Sequence, residues 1–392
     1  MRSVAFFCMP EPGHFQRMLP LVAGIAARGI KAHVFTHRDF RERAERAGGL
    51  FIDLFAKYPP TDVASLPVPC RHVTFAGHYA DDLRRDLEGL GVSLVVHDTF
   101  AVVGAVVARL LGIPRVNVCA GHNVQPARFL DALATDPRVK VAPECHRAVE
   151  TLRTRHGIAD ASPFSYVTAL SPHLNVCCEP PQFLDEEDRH AFEPLAFFGS
   201  LQGGPEAPAA PDPFGDARLK VYVSFGTVVW RYYAAEAMRA LKAVADAFAA
   251  RPDARVLISL GGADVDGAPL ARPNVAVARY VDQRSVLRSA DAYVTHHGLN
   301  STHEAIFREV PMISCPFFWD QPGLAAKCER FGVAVPLAAA PRAPVTQEDV
   351  GTAIGRLLDT GEPMRRSLSE AREWEIAVMA NRSSVLQRIA EL

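Results

Sequence analysis

No stretch of this 392-residue chain is apolar for long enough to span a bilayer, and Met1-Arg2 leads straight into a strand-like run with no signal-peptide pattern. The expectation is a cytoplasmic protein with no membrane span. Basic blocks are missing as well: 42 Lys and Arg stand against 44 Asp and Glu, a net charge of −2, which argues against a nucleic-acid partner. Eight cysteines occur without a C-x-x-C pair, and H-E-x-x-H is absent. His296, His297 and His303 lie close in sequence, but no second ligand pair follows at zinc spacing. No metal is therefore expected, and the thiols, mostly in apolar runs, read as free and buried. Nor does G-x-G-x-x-G follow any early strand, which removes the fingerprint of a nicotinamide-dependent oxidoreductase.

What is present is a composition able to form cores, 49% hydrophobic and 22% charged, at a length that suits two domains. Short apolar runs alternate with helical stretches twice over. In the first half Ser3 to Met9, Lys31 to Thr36, Leu94 to His97 and Arg115 to Cys119 read as strands, with predicted helices from Leu19 to Arg28 and Val102 to Leu111. The second half repeats the pattern at Val221 to Phe225, Arg255 to Leu260, Val275 to Ala278, Ala292 to Thr295 and Met312 to Cys315. Apolar strands bracketed by helices imply parallel sheets covered on both faces. The fold class is therefore α/β, two Rossmann-like domains. The expected boundaries are 1–201, a Pro- and Gly-rich linker at 202–218, a second domain at 219–362, and a last helix over 363–392 with Trp374 and Ile376 on its apolar face.

In open parallel sheets, ligands bind beyond the carboxyl ends of the strands, and this chain concentrates polar residues there. The first strand runs into Pro12-Gly13-His14, another into Asp98, and later ones into Gly226-Thr227, His296 and Asp320-Gln321. His14 and Asp98 have the makings of a base and its orienter: an imidazole near pH 7 accepts a proton, and a carboxylate on its other nitrogen fixes the tautomer. Taken alone, a histidine after Pro-Gly is more often a loop residue bonding backbone, and an Asp at a strand end is often only a cap. From Asp291 to Gln321 the chain reads as strand, glycine turn, helix starting near Thr302, and strand. Unpaired N–H groups at a helix start stabilise an anion without a metal, so this segment is suited to a diphosphate.

That segment resembles the donor signature of nucleotide-sugar-dependent glycosyltransferases of the GT-B fold, the group with the macrolide, flavonoid and plant secondary-metabolite transferases. The matching residues are His296, Gly298, Asn300, Ser301, Thr302, Glu304, Val310, Pro311, Asp320 and Gln321, with Tyr280-Val281-Asp282-Gln283 as an aromatic-x-Pro-Gln element that carries Asp282 in place of proline. Gly13-His14, Pro20-Leu21 and Arg28-Gly29 match the family's N-terminal pattern, and Asp98 with Gly112-Ile113-Pro114 its aspartate element.

The resemblance implies two domains facing across a cleft and an inverting transfer from a UDP- or dTDP-sugar to a polyketide, macrolide or phenolic aglycone, as in antibiotic biosynthesis. His14 would be the base and Asp98 its orienter. His296, Gly298, Asn300, Ser301 and Thr227 would hold the diphosphate, Glu304 the ribose, Tyr280 the base with Val281 and Gln283 nearby, and Asp320 with Gln321 the sugar. No cofactor or metal enters this scheme, and the state expected is monomer or homodimer. Phe75, His78, Asn123 and Phe129 are candidates for lining an acceptor pocket, although packing explains them as well. Asn300 and Ser301 also suit helix caps, Glu304 a surface charge, and Tyr280 a core aromatic. C-transfer to an aromatic polyketide, a nucleotide-sugar epimerase or hydrolase, and an idle partner protein are the competing functions.

Overall fold

A computed structural model describes residues 2–61, 70–119, 121–168, 170–201 and 212–392. Two compact units emerge, Met1–Gly203 with Val378–Leu392, and Gly204–Ala377. In the first, seven strands form one sheet: β1 (Ser3–Phe7), β2 (Lys31–Thr36), β3 (Leu50–Asp53), β4 (Val92–Asp98), β5 (Arg115–Cys119), β6 (Leu174–Cys177) and β7 (Leu195–Phe197). Their order is β3-β2-β1-β4-β5-β6-β7. In the second, β8 (Leu219–Ser224), β9 (Ala254–Ser259), β10 (Val275–Ala278), β11 (Ala292–Thr295), β12 (Met312–Ser314) and β13 (Ala334–Pro336) follow the order β10-β9-β8-β11-β12-β13. Among the described residues every strand pairing in both sheets is parallel. All five residues of β1 and all four of β11 are buried, as strands covered on both faces require.

This order places a switch point in each sheet, where consecutive connections leave in opposite directions and loops open a crevice. In the first sheet it lies between β1 and β4, in the second between β8 and β11.

Several expectations are revised. The first helix is Pro12–Ala26, so His14 sits in its first turn rather than in a loop before it. Proline at the helix start needs no N–H partner and has the right φ, and the helix continues through Pro20. The donor helix is Leu299–Phe307, three residues earlier than expected, because Gly298 serves as its N-cap. Strands β3, β6, β7 and β13 were not anticipated; β3, β7 and β13 are short edge strands that are only partly buried, and β6 is a buried strand of four residues.

Of the expected linker, 202–211 lies outside the described residues, while Phe214 is buried and Lys220 Nζ donates to Asp212 at 2.9 Å. That part is packed structure, anchored by an aromatic ring. The single last helix is two, Gly361–Ala380 and Arg382–Glu391, broken at Asn381. Arg382 donates to the carbonyls of Phe198 and Leu201 at 2.8 and 2.6 Å and fixes the terminal helix on the first unit. Trp374 packs against Phe331, whereas Ile376 is exposed instead of packing on an apolar face. No disulfide forms: seven of the thiols are buried and Cys315 is partly so. Among the described residues no helix is long and apolar enough to cross a membrane.

Candidate active site

At the first switch point β4 delivers Asp98 at its carboxyl end, fully buried. Its Oδ2 accepts the Met9 N–H at 3.0 Å, and its Oδ1 accepts the Phe100 N–H at 2.6 Å and faces His14 Nδ1 at 3.3 Å. Burial alone would push this carboxyl up. The hydrogen bond and charge of His14, with the Met9 N–H, outweigh it and bring the value down to about 2. Asp98 is thus an anion at any ordinary pH. The His14 side chain keeps 16% of its exposure while Asp98 keeps none, and the Phe100 ring lies against the imidazole at 4.2 Å between centroids. A carboxylate on Nδ1 and an aromatic wall hold the ring in one orientation, an arrangement suited to accepting a proton at Nε2. Neighbouring His97 is a core residue: burial lowers it to about 4, and its Nδ1 donates to the Asp98 carbonyl.

Among the described residues no carboxylate pairs with the histidine at the second switch point. Its centre is His296, just past β11, buried with its ring between two glycines. A Cβ on Gly226 would lie 2.6 Å from His296 Nε2, and one on Gly298 would lie 2.5 Å from the same atom. Gly226 also has φ +69°, a conformation that L side chains rarely adopt. Both positions must be glycine for the ring to lie where it does. Burial lowers His296 to about 4, so it is neutral at pH 7. Its Nδ1 is buried without a hydrogen-bond partner among the described residues, a state that native structures rarely leave unexplained. The adjoining helix has no side-chain cap at Gly298, so Asn300 and Ser301 are first-turn residues and not caps. The two neighbouring histidines are held by packing partners. His297, lowered to about 3 by burial, meets Thr302 Oγ1 at 3.2 Å and Ser314 Oγ at 2.9 Å, and His303 pairs with buried Glu375.

One further network joins three of the expected donor residues. Gln283 Nε2 donates to Glu304 Oε2 at 2.8 Å and to Ser301 Oγ at 3.2 Å, while its Oε1 accepts from Tyr293 at 2.9 Å. Burial raises Glu304 against the lowering effect of the Gln283 bond, so it is not a simple surface charge. Tyr280 is 70% exposed, not a core aromatic; the buried stack in this unit is Tyr222 on Tyr293. Val281 is partly exposed beside it, and Thr227 is exposed beyond Gly226. Gln321 is buried, and its Oε1 accepts the N–H groups of Phe317 and Phe318 at 3.0 and 3.3 Å. Asp320 is the N-cap residue of the Gln321–Arg330 helix.

The four acceptor candidates separate. Phe75 is buried against Phe55 and Tyr79, Phe129 is partly buried on the Pro126–Thr135 helix, and exposed His78 meets Thr61 at 3.1 Å. Asn123 gives both its N–H and its side-chain amide to Glu179. Phe100, His122 and Glu179 were not anticipated. A signal for Glu179 exists, a carboxylate just past the apolar run Leu174–Cys177, but it lay hidden with the unrecognised β6.

Residues 212–365 match the family described as UDP-glucoronosyl and UDP-glucosyl transferase. An uncharacterized UDP-glucosyltransferase, YdhE of Bacillus subtilis (strain 168), is 26% identical over 340 residues, which is 83% of each chain. The oleandomycin glycosyltransferase of Streptomyces antibioticus is 24% identical, covering 86% of this chain and 79% of that one. Among solved structures, the glycotransferase of kitacinnamycin superposes with a TM-score of 0.78 over 99% of both chains, at 22% identity. A matching C-terminal unit, whole-length relatives of one enzyme class and a shared two-sheet architecture lead to one assignment. The chain is a glycosyltransferase of the GT-B fold, similar over most of its length to YdhE and to the oleandomycin glycosyltransferase.

Proposed function

We propose that the chain is an inverting glycosyltransferase that moves a sugar from a UDP- or dTDP-sugar to a hydroxyl of a small hydrophobic natural-product aglycone. The carrying observation is the His14–Asp98 pair, an imidazole oriented at Nδ1 by a fully buried, ionised carboxylate. In this reading His14 Nε2 takes the acceptor's proton as its oxygen attacks the anomeric carbon, and the nucleoside diphosphate leaves from the opposite face. Asp98 stabilises the imidazolium. Negative charge grows on the leaving phosphate. Neutral His296, with its unpartnered Nδ1, and the N–H groups at the start of the Leu299–Phe307 helix meet that charge without a metal. Thr227 adds a hydroxyl, Glu304 accepts from the ribose, Tyr280 offers its exposed face to the base, and Asp320 with the Gln321 amide binds sugar hydroxyls. Both a uridine and a thymidine donor fit this chemistry.

His14→Ala decides the matter. Acceptor-dependent release of nucleoside diphosphate should fall by roughly a hundred- to ten-thousand-fold while donor affinity by calorimetry stays the same. Turnover surviving within about tenfold would remove His14 from the role of base. Release that ignores the acceptor in the unmodified enzyme would favour a hydrolase.

A further inference from the structure

In the second unit a pocket of about 100 Å³ opens beyond the carboxyl ends of β12 and β13, the strands one and two places past β11 in the sheet. It is therefore displaced from the switch point between β8 and β11. Ser314 and Cys315 at the end of β12 line it, together with one face of the Ala234–Ala249 helix and the 338–345 segment that follows β13. Most of the lining is uncharged. The Ser314 hydroxyl already meets His297 Nε2 at 2.9 Å, burial pushes the Cys315 thiol up to about 12 and so keeps it neutral, and Ala240, Phe317 and Val345 are apolar.

The charge at this pocket comes from arginine. Arg342 stands at φ +61°, a conformation that costs free energy for any residue with a side chain and that folded proteins tend to keep where a ligand is gripped. Its Nη1 donates to the Phe317 carbonyl and its Cζ lies 5.0 Å from the centre of the Tyr233 ring, so the guanidinium is fixed in place with most of its five N–H donors still to give. Among the described residues it meets no carboxylate. Arg239 is 69% exposed, with Glu236 4.0 Å away, so the lining carries two cations to one anion.

A fixed guanidinium beside an apolar recess is complementary to a carboxylate on a short hydrocarbon body: the planar fork pairs with both oxygens while the body displaces water from the recess. Volume limits the body. The pocket is smaller than the roughly 150 Å³ that takes a benzene ring, which leaves room for about three or four carbons. We propose that this pocket is a binding site for a small aliphatic monocarboxylate, with its oxygens on Arg342 and its alkyl body against Ala240, separate from the donor and acceptor sites. Neither His14 nor His296 takes part.

The test is calorimetry on the full chain with isobutyrate, isobutyramide and inorganic phosphate, which present a charged head on a body, the body alone and charge alone. Isobutyrate should bind with a Kd on the order of a millimolar, and each of the others about tenfold more weakly or worse. Arg342→Gly should lower the affinity for isobutyrate about tenfold or more while the melting temperature holds, because glycine adopts φ +61° freely. Ala240→Leu fills the recess and keeps both arginines, and it should lose isobutyrate to the same degree; it gives the reading if the glycine variant is less stable. Absence of isobutyrate binding in the unmodified protein overturns the proposal. So does isobutyramide or phosphate bound as tightly as isobutyrate, or an affinity for isobutyrate that survives in either variant, because the acid then sits elsewhere and Arg342 only braces the Phe317 carbonyl.

Discussion

Two switch points built on the same strand order carry opposite electrostatics. Between β1 and β4 the crevice holds a full negative charge, the Asp98 carboxylate brought down to about 2 and bonded to His14. Between β8 and β11 burial keeps His296 neutral, lowered to about 4, and two glycines make room for its ring. Topology therefore supplies a place and not a chemistry. A base must gain charge as it works, so a nearby carboxylate helps it; a site for a leaving diphosphate is better served by neutral donors and helix N–H groups, which need no counter-charge of their own.

The comparison breaks most sharply at Asp98. Asp98→Asn keeps the size but lets the amide present the wrong partner to Nδ1, so kcat should fall on the order of a thousandfold or more while donor affinity stays as it was. Folding stability should also drop by about 2.5 kcal/mol near neutral pH, the value of a carboxyl held at about 2 instead of 3.8. A variant that loses donor binding instead would show that the two switch points are not chemically separate.

Gly298→Ala attacks the other side. The new methyl would meet His296 Nε2 at 2.5 Å, inside any real contact, and the ring or the helix start must shift. Donor affinity by calorimetry should weaken about tenfold or more, with a fall in kcat in proportion. Unchanged affinity would mean that the ring's position is irrelevant to the donor.

Acid sharpens the contrast through stability. His97, His296 and His297 sit at about 4, 4 and 3 in the folded protein, below the ordinary imidazole value of 6.5. A group whose folded value is depressed contributes stability above its unfolded value and loses it as pH falls through the folded one. Melting temperature should therefore decline from pH of about 6.5 to 3, with Asp98 adding its own loss only below the ordinary carboxyl value of 3.8, and two of the three rings belong to the second unit. His297→Gln should flatten the decline; a level profile over that window would contradict the burial of these rings as neutral groups.

How much of this was legible follows from how local each signal is. Lys31–Thr36, Val102–Leu111 and Arg115–Cys119 were placed to the residue, because a dense apolar run bounded by polar or glycine positions is a local property. His14, Asp98, Gly298 and His296 stand next to such runs and could be found with them. The gripping of His296 by Gly226 could not, since β8 and β11 lie some seventy residues apart in the chain and meet only across the sheet. His122 with Glu179 was missed for the same reason, since the two stand 57 residues apart in the chain and meet only across neighbouring strands. Helix starts were misjudged where proline or glycine opens a helix without the usual Ser, Thr or Asp cap.

The smallest effect expected is none. If neutral His296 and the first-turn N–H groups of the Leu299–Phe307 helix meet the leaving diphosphate, a divalent cation has no essential role, and EDTA in excess should leave kcat and the donor's KM unchanged. Loss of activity to the chelator, restored by added magnesium, would place a positive charge at the second switch point after all. The contrast between a charged crevice and a neutral one would then be a contrast between an anion and a cation, with Asp320 or Glu304 as the carboxylates to test for holding the metal.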